Sequence, residues 1–179
     1  ILEWVPRLVS RDAPSKHITR EEIIVQAEMG LAEKVLSPME ARIIENLMLL
    51  NEIRTEDILT PRSVITAIQK DLTVAEAMES IPTPRFTRIP VYNNGLDDVM
   101  GLVLYDSLRE SYQTGRRDVA VASLMGPIYA VPASKPIADL LDEFIARREH
   151  LFEVVDEYGG TAGIVTLEDA LETLLGVEI

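Results

Sequence analysis

The 179-residue chain is 47% hydrophobic, a globular share, and its length suits one or two small domains that bury a real core. It contains no cysteine, which excludes disulfides, thiol nucleophiles and thiolate metal sites and fits a reducing compartment. A formal net charge of −13 leaves no surplus of Lys and Arg for nucleic acid or anionic lipid, and no apolar run approaches the roughly 18 residues that cross a bilayer.

The chain opens on Ile1 rather than methionine and so reads as part of a longer protein. Residues 1–18 read as an arm or linker, apolar around Trp4 with sparse charge. Such a segment suits a membrane–water boundary, where Trp is enriched, and suits equally an arm packed on the body of the domain. Residues 19–58 read as a small helical bundle with an acidic, solvated exterior. Thr19-Arg20-Glu21-Glu22 has the spacing of a capping box, and the helix after it should run to about Lys34 with Ile23, Ile24, Ala27 and Leu31 inside. Ser37-Pro38-Met39-Glu40 repeats the signal with Pro at the first helical position, opening a second helix to about Leu50.

Thr60-Pro61-Arg62 breaks the helical pattern. The β-branched run Ser63 to Ile68 predicts a strand, and Asp71-Leu72-Thr73-Val74 leads into a helix from about Ala75 to Ser80. Pro82 and Pro84 interrupt, and strands follow at Phe86–Tyr92 and Met100–Leu104 around a turn at Asn93-Asn94-Gly95. A helix is expected to begin near Ser107.

The pattern then recurs about 60 residues later. Ile128-Tyr129-Ala130-Val131 matches Ile65-Thr66-Ala67-Ile68, Pro136 to Leu141 matches Thr73 to Met78, and Gly163-Ile164-Val165 matches Gly101-Leu102-Val103. Internal repetition outranks any single motif as evidence of architecture. The expected fold is α/β (α+β), with tandem βαββα repeats at residues 59–112 and 123–179 joined by a polar linker at 113–122. Each unit alone leaves apolar surface uncovered, so the two should pack as a pseudo-symmetric pair.

The most informative stretch runs from Asp156 to Asp169. Leu151 to Val155 reads as a strand, Gly159-Gly160 as a tight reversal, and Ile164-Val165 as a returning strand that ends at Thr166. From there Leu167, Ala170, Leu171, Leu174 and Leu175 fall on one helical face. Thr166 and Asp169 therefore sit where a strand becomes a helix, with free N–H groups pointing outward, a ready place to hold an anion. The same two residues also make an ordinary N-cap, and one geometry serves both roles.

Three stretches carry a family resemblance: Ile58-Leu59-Thr60-Pro61-Arg62, Thr87-Arg88-Ile89-Pro90-Val91, and the long run Asp156 to Asp169. The repeat pair resembles a cystathionine-β-synthase-type (CBS) pair, or Bateman module. More narrowly, the three stretches are similar to the CorC-type, cyclin M-like family of magnesium and cobalt transporters, long called hemolysin-like. The resemblance covers essentially residues 15–179, including the acidic helical bundle. It implies a regulatory region on the cytoplasmic face of the cell membrane, belonging to a divalent-cation transporter whose own transmembrane domain lies outside this sequence. It further implies side-by-side homodimers and an adenine nucleotide, ATP or AMP, held in the cleft between repeats with Mg²⁺.

The residues that the resemblance assigns to the nucleotide are Thr66, Thr87, Arg88, Pro90, Ile164, Thr166 and Asp169. Asp169 would accept from ribose hydroxyls, while Thr166 and the helix amides donate to phosphate. Arg88 would supply positive charge to phosphate or else form an ordinary salt bridge, and Thr66 would contact ligand or bond locally. Arg62 is a weaker candidate for the phosphate tail. In the first repeat Leu104 stands for Thr166 and Ser107 for Asp169, which predicts one competent site and one blunted site.

A triphosphate in so acidic a chain is more easily held with Mg²⁺ among its oxygens, and no carboxylate cluster is dense enough for a protein-only metal site. Asp97-Asp98 and Asp156-Glu157 belong to hairpin turns, where acids are routine. No catalytic residue is assigned. His17 and His150 lie in no motif with a nucleophile, His150 reads as structural, and no Walker-type loop is present. The other reading of the module is a purely structural dimerisation unit, for which Thr166 with Asp169 would not be required.

Overall fold

The computed structural model describes residues 18–81 and 86–176. The expectations for the arm before Ile18, for His17 and for the interruption at Pro82 and Pro84 lie outside the described residues. The architecture is mixed α/β, with two small sheets and six α-helices among those residues.

Helices α1 (Arg20–Ala32) and α2 (Pro38–Leu49) open the chain, and both expected capping boxes are present. In each, the N-cap hydroxyl accepts from the third helical N–H while the Glu carboxylate accepts from the N-cap N–H. Leu31 is exposed rather than inside, because only Ala27 of α1 is fully covered. The pair is seated on the far end of the chain. Asn46 Nδ2 donates to Leu174 O at 3.0 Å and Arg42 Nη1 to Gly176 O at 3.3 Å, which satisfies carbonyls left open where the last helix ends.

Strand β1 (Thr60–Pro61) is followed by a 3-10 turn at Arg62–Val64 and by β2 (Ile68–Gln69). Then come α3 (Val74–Ser80), β3 (Arg88–Tyr92), β4 (Val99–Leu104) and α4 (Tyr105–Gln113). The second repeat holds β5 (Tyr129–Pro132), α5 (Ile137–Arg147), β6 (Leu151–Val155), β7 (Thr161–Thr166) and α6 (Leu167–Leu175). In both repeats the first strand is parallel to the second and the second antiparallel to the third. The expected strand over Ser63–Ile68 is corrected to Ile68–Gln69, because a β-branched run becomes a strand only where a neighbour offers a ladder. The helix expected near Ser107 begins two residues earlier, at Tyr105.

The repeats are stitched together by exchange. β1, at the start of the first repeat, pairs antiparallel with β7 of the second, Thr60 facing Ile164 and Pro61 facing Gly163. Gly126, in the leading segment of the second repeat, bridges Leu102 of the first with backbone bonds of 3.0 and 2.8 Å. Glycine is required at both crossings. A Cβ on Gly163 would lie 2.3 Å from Thr60 O, and one on Gly101 would lie 2.3 Å from Gly126 O. Each repeat keeps its own core. Ile68, Val74, Ile89, Val91, Val103 and Leu108 fill the first. Leu50 of α2 joins Val131, Leu140, Val154, Val165 and the stacked pair Phe144–Phe152 (centroids 4.2 Å apart) in the second.

Candidate functional site

The site begins at the hairpin between β6 and β7. Asp156 Oδ1 accepts from the N–H groups of Tyr158 and Gly160, both at 2.9 Å, and Gly159 takes a φ of +83°. That turn fixes the register of β7, which delivers Thr166 to the N-cap of α6. There Asp169 N–H donates to Thr166 Oγ1 at 3.2 Å. Thr166 N–H and Thr166 Oγ1 both donate to Asp169 Oδ2 at 2.7 Å. Both residues are half-buried and face a cleft of about 460 Å³ between the repeats.

All seven expected residues line that one cleft. Ile164, Thr166 and Asp169 form the wall from the second repeat. Thr66, from the extended segment before β2, faces them with Thr87, Arg88 and Pro90 from the start of β3. Arg88 forms no ion pair, and Thr66 Oγ1 no hydrogen bond, among the described residues. Arg62 belongs elsewhere, its guanidinium bonded to Asp97 in the β3–β4 hairpin. No cluster of three or more metal-ligating side chains occurs among the described residues.

Other cleft residues escape the sequence reading. Val64 and Phe86, 68% and 52% exposed, add apolar surface to the first-repeat wall, and Glu168, His150 and Leu151 add to the second. His150, expected to be structural, is on the cleft wall. Repeat alignment was the available signal. Arg88 faces Leu104 across β3–β4 as Leu151 faces Thr166 across β6–β7, so His150-Leu151 stands where Thr87-Arg88 stands.

Among the described residues the cleft thus combines one guanidinium, several hydroxyls, the amide end of a nine-residue helix, two carboxylates at that end and an apolar rim. Chemically this suits a ligand with a flat apolar portion, hydroxyls for the carboxylate and an anionic group for Arg88 and the helix amides.

Comparison with known proteins gives a consistent picture. A family profile for the CBS domain matches residues 120–176. A UPF0053 protein of Synechocystis sp. is 37% identical over 155 residues, 87% of this chain and 45% of that protein. The magnesium and cobalt efflux protein CorC of Pasteurella multocida is 29% identical over 157 residues, 88% of this chain and 52% of that protein. The chain spans about half the length of these curated relatives. Among solved structures, the CBS domain of a bacterial CNNM/CorC family Mg²⁺ transporter aligns with a TM-score of 0.82 at 32% identity, covering 89% of this chain and 97% of that one. A CBS domain of such a transporter in complex with ATP aligns at 0.74 and 35% identity, covering 78% and 99%. A CBS-domain pair from Klebsiella pneumoniae with bound AMP aligns at 0.58 and 28% identity, covering 69% and 99%.

Proposed function

This chain belongs to the CNNM/CorC family, whose CBS-domain region it carries, and on that premise we propose that its inter-repeat cleft binds an adenine nucleotide. The observation that carries the reading is the convergence of Thr66, Thr87, Arg88, Pro90, Ile164, Thr166 and Asp169 on one cleft from segments up to about a hundred residues apart. Related CBS structures hold ATP and AMP. The base packs on the apolar rim, the ribose hydroxyls meet Asp169 Oδ1, and the phosphates lie toward Arg88 and the amides of α6. Two carboxylates, Glu168 and Asp169, share the cleft with Arg88, so Mg²⁺ among the phosphate oxygens is part of the bound state.

In this reading the chain is a cytoplasmic regulatory module of a membrane Mg²⁺ or Co²⁺ transporter and works as a homodimer. It has no catalytic role. Nucleotide favours one dimer arrangement over another only by its differential affinity for the two. The helix pair α1–α2, bonded to the end of α6, carries that difference toward the transmembrane domain.

The capping box favours a second reading, because it already gives Thr166 and Asp169 a structural role. On that account the module dimerises the transporter and binds no nucleotide. Calorimetric titration of ATP, with and without Mg²⁺, separates the two when Asp169→Ala and Asp169→Asn are run beside the parent. The sensor reading expects saturable binding, tightened by Mg²⁺ and weakened in both variants. Absence of heat and of thermal shift with ATP, ADP or AMP would leave the structural reading.

A further inference from the structure

The two repeats place one residue each, at the same register, in the same cleft. Thr87 precedes Arg88 and His150 precedes Leu151. The same bond fixes each: Tyr105 N–H donates to Thr87 O at 3.0 Å, and Leu167 N–H donates to His150 O at 3.0 Å. His150 is therefore tied to the first amide of α6, beside Thr166 and Asp169. The charged and titratable groups that share the cleft with it are Arg88 from β3 and Glu168 and Asp169 from α6, with Arg148 and Glu149 just before it in the chain. Among the described residues one guanidinium thus stands against two carboxylates, a poor balance for an anion, and His150 is the one other residue of the lining that can become a cation near neutral pH.

We infer that His150 is a phosphate-contacting residue of the cleft, its imidazolium supplying the second cation and coupling nucleotide binding to proton uptake. The inference rests on the nucleotide reading above and adds a contact and a regulatory input to it. The sign follows from charge. A bound anion favours the protonated ring, so binding takes up a proton. Affinity then rises as the pH falls from 8.0 to 6.0. Protons partly replace Mg²⁺ in balancing the phosphates.

The test is calorimetric titration of Mg-ATP into the chain at pH 6.0, 7.0 and 8.0, in buffers of different ionisation enthalpy. The parent is compared with His150→Gln and His150→Arg; the residue is exposed, and thermal unfolding checks that each variant is folded. Titration of the nucleotide itself is common to all three proteins and cancels in the comparison. The parent is expected to bind roughly fivefold tighter at pH 6.0 than at 8.0, with measurable proton uptake. That pH dependence disappears in His150→Gln, while His150→Arg binds at least as tightly at pH 8.0 as the parent does at pH 6.0. Identical pH profiles for the parent and His150→Gln would overturn the inference and leave the nucleotide reading intact. A parent that binds no nucleotide at any pH would overturn both.

Discussion

The two repeats share a topology and differ where strand meets second helix. At α6, Thr166 caps the helix and Asp169 closes the box. At α4, Leu104 occupies the N-cap with no side-chain bond and is 41% exposed, while Ser107 takes the third helical position. Asp106, one residue off register, is spent on Arg109 at 2.8 Å. The opposing wall differs as well, since Arg88 in the first repeat is matched by the buried Leu151 in the second. The two repeats share the exchange of leading segments that holds the pair together, and three polar functions present in one of two equivalent places are absent from the other. The lesson is that the pair's scaffold and its chemistry are carried by different residues, so each can be broken alone.

Removing the cation is the sharpest break. Arg88→Ala should weaken Mg-ATP binding ten- to a hundredfold, the scale of about 1.5–3 kcal/mol for a charge-assisted contact, with little change in thermal stability. A comparable loss of melting temperature would mean that Arg88 serves the fold instead. The scaffold is broken by Gly163→Ala or Gly101→Ala, each of which forces a Cβ to 2.3 Å from a carbonyl oxygen of the other repeat's leading segment. Both should cost about 1–3 kcal/mol in denaturant unfolding, and by similar amounts, since the two crossings are equivalent. A large loss from one and none from the other would show that the exchange is not symmetric.

Smaller effects sharpen the comparison. Thr166→Ala removes the α6 cap and should cost about 1 kcal/mol, whereas Leu104→Thr with Ser107→Asp should add a cap to α4 and stabilise by up to about 1 kcal/mol. That double variant should still bind one nucleotide per chain, because Leu151 gives the first-repeat site no counterpart of Arg88. The smallest effect concerns Glu143 of α5, which takes hydrogen bonds from Lys135 and Arg147. The Lys135 ammonium, with help from Arg147 and against some burial, holds this carboxyl below its usual value of 4.5. Its stabilisation is therefore present above that value and is lost as pH falls through the lower folded-state value. Thermal unfolding of the parent and Glu143→Gln should differ slightly at pH 7 and converge in acid.

Much of this was legible in residues 151–175, where a β-branched run, paired glycines and a Thr-x-x-Asp cap each constrain the chain locally and agree. Six of the seven cleft residues were legible for another reason: the motifs mark them, while Thr66 follows from its place in the first strand of the resemblance, and no local rule brings it near Thr166. What failed was context. Ser63 to Ile65 reads as strand by composition, yet the 3-10 turn at Arg62–Val64 and the exchange at Thr60–Pro61 leave it beside a cleft rather than a ladder. Leu31 fits the helical period but sits at the rim of a groove between α1 and α2 and stays exposed. His150 and Leu151 were hidden because the repeats were matched by apolar pattern, and the positions lining the cleft are those where that pattern diverges.

Counting sites decides whether the two repeats differ in ligand binding. Equilibrium dialysis of labelled ATP with Mg²⁺ against chain of known concentration, carried to saturation, gives the number bound per chain. One is expected, and with Arg88→Ala that same one is reached only at ten- to a hundredfold higher free ATP. Two equivalent nucleotides per chain would contradict that expectation, because Leu104, Ser107 and Leu151 would then be doing what Thr166, Asp169 and Arg88 do.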